Sequence, residues 1–157
     1  MRKRFEYGVA ALIFAALAIG YTTVYHSLSA TVERYTVAAN LSALEMAANM
    51  QIATRRVDAG PAVVELVASS NPFEWLDEPL EEYYGAVANY PAAAVELPPG
   101  GWLYVEERRA ILYRPLYPRQ LVGGVRGGGP ERIEWQLEPT GRGGVSAEPV
   151  VPYRWRE

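Results

Sequence analysis

Five carboxylates fall within one short stretch, at Glu74, Asp77, Glu78, Glu81 and Glu82. On a helix several of them would share a face, and oxygen-rich clusters of that kind hold calcium. Their spacing matches no calcium-binding loop, however, and Pro79 interrupts any helix through them. The expected role is a solvated acidic face, with no metal. Two of Glu74, Glu78 and Glu82 are also what a carboxylate-based glycan hydrolase would need, but so small a chain has little room for the cleft. His26 is the single histidine and there is no cysteine. Neither a nucleophilic triad nor a nitrogen- or sulfur-ligated metal centre can then be assembled. The glycines at 123–129 and 141–144 are followed by no GK[ST] and sit in no strand-to-helix context, so they read as loops and not as a phosphate cradle. Arg126, Arg132 and Arg142 with Trp135 are the residues nucleic acid would use, and the acidic half of the chain opposes it. The expectation is a protein that is not an enzyme, takes no cofactor and binds no nucleic acid.

The elements that would position these residues begin with a hydrophobic run. From Tyr7 to Val32 there is no Asp, Glu, Lys or Arg, and Tyr7 to Tyr25 supplies the roughly 20 apolar residues that cross a bilayer. Tyr7, Tyr21 and Tyr25 stand where aromatic side chains meet headgroups. Arg2, Lys3 and Arg4 predict a cytoplasmic N-terminus, with everything after His26 outside. A cleaved secretory signal is the competing reading, since Ser27 and Ser29 suit a signal peptidase. Against it, Tyr21 to Ala59 contains no Gly or Pro and turns rich in Ala, Leu, Met, Gln, Glu and Arg, which propagate helix. One helix is expected from about Phe5 to about Asp58, on the order of 80 Å long.

In its outer half Leu28, Val32, Tyr35, Ala39, Leu41, Leu44, Ala48, Ile52 and Val57 recur mostly every three or four residues, predicting one apolar stripe with some drift. Glu33, Arg34, Asn40, Glu45, Asn49, Gln51 and Arg55 are expected on the other side. Such a stripe can back onto a sheet of its own chain or pair with other helices, and the two uses can be divided between its upper and lower parts.

Gly60-Pro61 should stop the helix, with a short helical patch over 62–69. Asn71-Pro72 then favours an extended or turn conformation. The stretch to Gly100 holds five prolines among aromatics and reads as an ordered loop, whose Trp75, Tyr83, Tyr84 and Tyr90 are candidate recognition residues. Beyond Gly101 the period shortens. Trp102–Val105 and Ala110–Tyr113 form a hairpin across Glu106–Arg109. A third strand over 132–137 puts Ile133, Trp135 and Leu137 on one face. Leu121–Val125 adds a weak strand, and one near 150–155 is confined to an edge by Pro149 and Pro152. The predicted class is α+β: a long N-terminal transmembrane-to-stalk helix and a small C-terminal antiparallel meander. Its parts are a cytoplasmic start and anchor (1–27), an extracytoplasmic stalk (28–59) and a head (60–157), the head divided into the aromatic loop (60–100) and the sheet (101–157).

Charge is uneven along the chain although the net value is only -3. No Lys or Arg occurs from Val57 to Glu107, whereas Arg108, Arg109, Arg114, Arg119, Arg126, Arg132, Arg142, Arg154 and Arg156 follow. An acidic and a basic region on one head can attract copies of it or a charged neighbour. Without cysteine, no disulfide supports the head.

This plan resembles a type IV pilin or pseudopilin. More narrowly, Asn71-Pro72 with Leu76, Tyr84-Gly85, Pro98-Pro99-Gly100-Gly101-Trp102-Leu103-Tyr104 and Leu112-Tyr113-Arg114 are similar to the heads of small accessory pilin-like proteins. Those belong to clusters for pili of the mannose-sensitive haemagglutinin (MSHA) kind or for type II secretion. The resemblance implies a single-pass, N-in protein of the bacterial inner membrane with a periplasmic head, whose partners are the membrane and other pilin-like subunits. The sequence departs from the prepilin pattern: Arg4 stands before Phe5 where a small residue is usual, Val9 stands where the family has glutamate, and Glu6 lies at the edge of the apolar run. An uncut anchor is therefore expected. Helix packing is expected through Gly8, Ala11, Ala15 and Ala18 in the membrane, where small residues allow close approach, and through Val32, Tyr35, Ala39, Leu44, Ala48 and Ile52 outside it. The alternative reading is a membrane-tethered binding or sensor module that joins no filament and uses the loop from Trp75 to Tyr90.

Overall fold

A computed structural model describes residues 2–59, 62–89, 97–123 and 132–156; within 2–59 the side chains described are those of Phe14 and residues 28–55. The first element, α1, runs unbroken over Arg2–Ala59. At 1.5 Å per residue it is about 85 Å long. Among the described residues no helix is long and apolar enough to cross a membrane; the expected span over 7–25 falls on side chains that, Phe14 apart, lie outside them. Gly60 and Pro61 also lie outside. The short helix α2, Ala62–Ala68, follows as expected and buries Val63, Val64 and Val67.

The head is α+β. Its main sheet has five strands in the order β1-β2-β3-β5-β6, and β4 pairs with β7 in a separate two-stranded ribbon. The strands are β1 Tyr83–Val87, β2 Trp102–Val105, β3 Ala110–Tyr113, β4 Leu121–Gly123, β5 Ile133–Pro139, β6 Val145–Pro149 and β7 Tyr153–Trp155. The β2–β3 hairpin forms as the sequence predicts, with Val105 opposite Ala110 across the turn. Arg109 closes that turn in the left-handed region at φ 51.

Four expectations are corrected. The stretch over 60–100 is not only loop, because Tyr83–Val87 is a strand. It pairs parallel with β2, so the sheet is not a simple antiparallel meander. Leu97, shortly before β2, packs on Leu103, Val105 and Leu112 as a second small core. The third correction is the strand at 145–149, which pairs antiparallel with β5 and whose apolar alternation is confined to Val145 and Ala147. The last strand also moves, pairing with β4 in the ribbon instead of lining the meander.

The main core lies between the sheet and α1. Trp102, Tyr104, Ile111, Tyr113, Ile133, Trp135 and Leu137 project to one side and meet Val37, Leu44, Ala48 and Ile52 of the helix, with α2 and Phe73 closing one end. Pro72–Trp75 makes a single 3-10 turn. Asn71 accepts from the Phe73 N–H at 3.2 Å and donates to the Tyr83 hydroxyl at 3.0 Å, which ties that turn to β1. On the opposite sheet face Glu134 is buried and ion-paired to Arg132 at 3.1 Å and Arg108 at 3.2 Å, fixing the β2–β3 turn to β5.

Candidate functional site

Residues 28–55 of α1 carry two apolar faces, and the sequence reading merged them. At roughly 100° per residue, Val37, Leu44, Ala48 and Ile52 form one line, while Leu28, Val32, Tyr35, Ala39, Met46 and Met50 fall in a narrow sector opposite. The first line is 0–2% exposed and lies under the sheet. Of the second, Leu28, Val32, Tyr35, Met46 and Met50 are 61–71% exposed, and Ala39 is exposed too. Leu44, Ala48 and Ile52, expected to contact other subunits, are thus occupied by the chain's own head. Val32, Tyr35 and Ala39 remain free for a partner. Gly8, Ala11, Ala15 and Ala18 lie on α1, but their side chains are outside the described residues.

Polar side chains fasten the head to the helix. Glu33, expected on the solvated side, is 4% exposed. Its Oε1 accepts from the Tyr113 hydroxyl at 2.8 Å and from the Leu116 N–H at 2.6 Å, and its Oε2 from the Tyr117 N–H at 3.2 Å. Three donors compensate a buried charge that has no cationic partner among the described residues. Burial first, and then the Glu33 hydrogen bond and charge, push the Tyr113 phenol far up from its ordinary value. Farther along, Asn49 takes both backbone groups of Val145, donating to its carbonyl and accepting from its N–H, each at 2.9 Å. The Ala147 N–H reaches Glu45 at 2.6 Å. These side chains stand where a sixth strand would lie. A Cβ on Gly144 would come within 2.5 Å of the Asn49 amide oxygen.

Two grooves flank this attachment. One, of about 660 Å³, lies between Leu28, Val32 and Thr36 of the helix and Leu80, Pro99 and Leu116 of the head, with Glu81 and Glu82 on its rim. The other, of about 950 Å³, is lined by Arg34, Val122, Tyr153, Arg154, Trp155 and Arg156. Arg34 stands roughly 200° around the helix from Val32, so the grooves open on opposite flanks at the same height.

Comparison with protein-family models, curated proteins and solved structures finds no match. The site is therefore read from its own geometry.

The aromatic residues expected to form one recognition loop do not converge. Tyr83 is half-buried and stacks on Phe73 with ring centroids 4.0 Å apart, burial raising its phenol above the ordinary value despite the bond from Asn71. Trp75 packs against the main core. Tyr84 is 53% exposed and lies on the other side of β1, its ring 3.1 Å from where a Gly101 Cβ would stand. Tyr90 is outside the described residues. Glu74, Asp77, Glu78, Glu81 and Glu82 are all exposed, and no group of three such residues could hold a metal ion among the described residues. The arrangement offers surfaces for packing and for charge pairing.

Glu33, Glu45 and Asn49 were the residues that sequence reasoning put on the wrong face. A signal was present: Glu33, Val37, Leu41, Leu44, Ala48 and Ile52 also step by three and four, and that line continues the buried face straight through Glu33.

Proposed function

We propose that this chain is a non-enzymatic, pilin-like, membrane-anchored subunit or accessory factor in assembly of a type IV pilus or a type II secretion pseudopilus. It acts by packing its helix against helices of other pilin-like subunits. The observation that carries the reading is the exposed line Leu28, Val32, Tyr35, Ala39, Met46 and Met50 along α1, of which Leu28 and Val32 also border the groove beside the head. Large apolar side chains at helical spacing over some 33 Å form a seam that a second helix would cover. Each Leu, Val or Met fully buried there contributes about 1.5–3 kcal/mol before the costs of association. The apolar run over 7–25 supports the anchor, and the buried line under the sheet explains why the head does not use the seam itself.

Because the chain has no cysteine, single cysteines report neighbours cleanly. In a cell assembling pilin-like filaments, Val32→Cys, Tyr35→Cys and Met46→Cys in the full chain should each cross-link to another pilin-like subunit, and Leu44→Cys should not. A uniform absence of adducts along the seam would end the proposal.

A further inference from the structure

The two flank grooves have opposite chemistry. Arg34, Arg154 and Arg156 are exposed, converge on one concavity with Trp155 and Tyr153, and have no carboxylate partner among the described residues, none of whose acidic side chains lines that groove. Across the helix, Glu81 and Glu82 are exposed on the rim of an apolar groove and have no basic partner among the described residues. Leu116 on its wall is 51% exposed and Leu28 and Val32 more so. An isolated chain thus leaves three cations and two anions uncompensated at the same level, on opposite sides, with the apolar seam between them.

We propose that the arginine flank of one copy docks into the acidic, apolar groove of a second copy. The partner is identified by complementarity of charge and form. Arg154 in β7 and Arg156 just beyond it are two residues apart and share one side of that strand, positioned to meet the Glu81 and Glu82 carboxylates, while Trp155 between them packs on its own core. Because the contacting surfaces differ on the two copies, the contact is heterologous and leaves each added copy with one open groove and one open arginine flank. It orders copies side by side with seams turned to a common interior. This deepens the pilin-like reading and rests on it, by making the neighbour another copy of the same chain and naming which flanks meet.

The test uses full chains in zwitterionic detergent, in zwitterionic vesicles and in vesicles with added phosphatidylglycerol. Glu82→Cys chains mixed with Arg154→Cys chains should give a disulfide-linked pair at least tenfold in excess of either self-linked pair. Arg154→Glu with Arg156→Glu, read by a cross-link between Leu116→Cys and Val122→Cys, which lines the arginine groove, should lower that yield tenfold or more. Adding Glu81→Arg and Glu82→Arg to the same chain should restore it. Equal yields of mixed and self-linked pairs, or a yield that ignores the arginine reversal, overturns the proposal. So does a cross-link that ignores the reversal while the arginine flank becomes protected only in phosphatidylglycerol vesicles, which would assign it to lipid headgroups. Seam cross-links at Met46→Cys, which lies outside both grooves, that persist when the flank link is absent would sink the flank contact and leave the pilin-like reading standing.

Discussion

The hydroxyl of Tyr113, at the end of β3, donates a 2.8 Å hydrogen bond to the carboxylate of Glu33 on the stalk helix, 80 residues earlier. That bond, with the Leu116 and Tyr117 amides on the same carboxylate, pins the end of β3 and the segment after it to α1. Tyr113→Phe removes one donor from a buried charge and should cost about 1.5–3 kcal/mol. Glu33→Ala strands two backbone N–H groups and a phenol and should cost more. Urea unfolding of both variants, followed by tryptophan fluorescence, checks the order.

Alkaline pH should loosen the same region. Tyr113 and Tyr104 both have raised phenol pKa values, chiefly through burial, and that of Tyr104 is pushed up to about 12. In the unfolded chain these phenols ionise near 10. Their neutral forms are favoured in the fold, so the stability they contribute is intact below about pH 10 and is lost as pH climbs above it. Phenolate absorbance should therefore rise late and together with loss of tertiary fluorescence, not ahead of it.

Tyr104 carries a second expectation. Its hydroxyl is buried and has no hydrogen-bond partner among the described residues, a condition that costs about 1–3 kcal/mol. Tyr104→Phe should leave stability unchanged or raise it, in contrast to Tyr113→Phe, and thermal denaturation of the pair would show the opposite signs.

Asn49 and Gly144 should be energetically coupled. Asn49→Ala loses both bonds to Val145 and should cost about 1–3 kcal/mol, with faster hydrogen exchange at the Val145 amide. Gly144→Ala forces a methyl against the Asn49 oxygen and should destabilise the native chain. In the Asn49→Ala background its cost should shrink, since the obstructing oxygen is gone, and a double-mutant cycle reads this directly.

The two faces of α1 should separate stability from assembly. Leu44→Ala opens a cavity at a fully buried site and should cost about 2–5 kcal/mol. Met46→Glu and Met50→Glu, on the exposed seam, should stay within about 0.5 kcal/mol of the parent. The same glutamates should abolish seam cross-linking, which Leu44→Ala in its folded fraction should not.

How far the sequence could be read follows from where each signal was local. The β2–β3 hairpin was legible because Trp102–Val105 and Ala110–Tyr113 are uninterrupted branched and aromatic runs with a polar turn between them. So was β5, through Ile133, Trp135 and Leu137. Strand β6 was not, because what holds Val145–Pro149 in place is Asn49 and Glu45, about a hundred residues away in sequence. Strand β1 was hidden by Gly85 and by flanking prolines that normally mark loops. The stalk misled in a specific way: Ala39 and Leu41 are two residues apart and therefore point to nearly opposite sides of a helix, so the single stripe was two. The candidate site suffered most from that error, since it placed Glu33 in water.

The attachment of Asn49 and Glu45 to β6 has a consequence for aggregation. Those side chains occupy the Val145 N–H and C=O and the Ala147 N–H on the outer rim of β6, and at the other end β1 is irregular, its register slipping between Tyr83 and Ala86. Neither rim offers a regular ladder for donor-strand exchange or cross-β growth. A chain whose sheet is closed to recruitment at both ends can expose a long greasy rod without inviting amyloid, and multimers built from it are confined to lateral, reversible association.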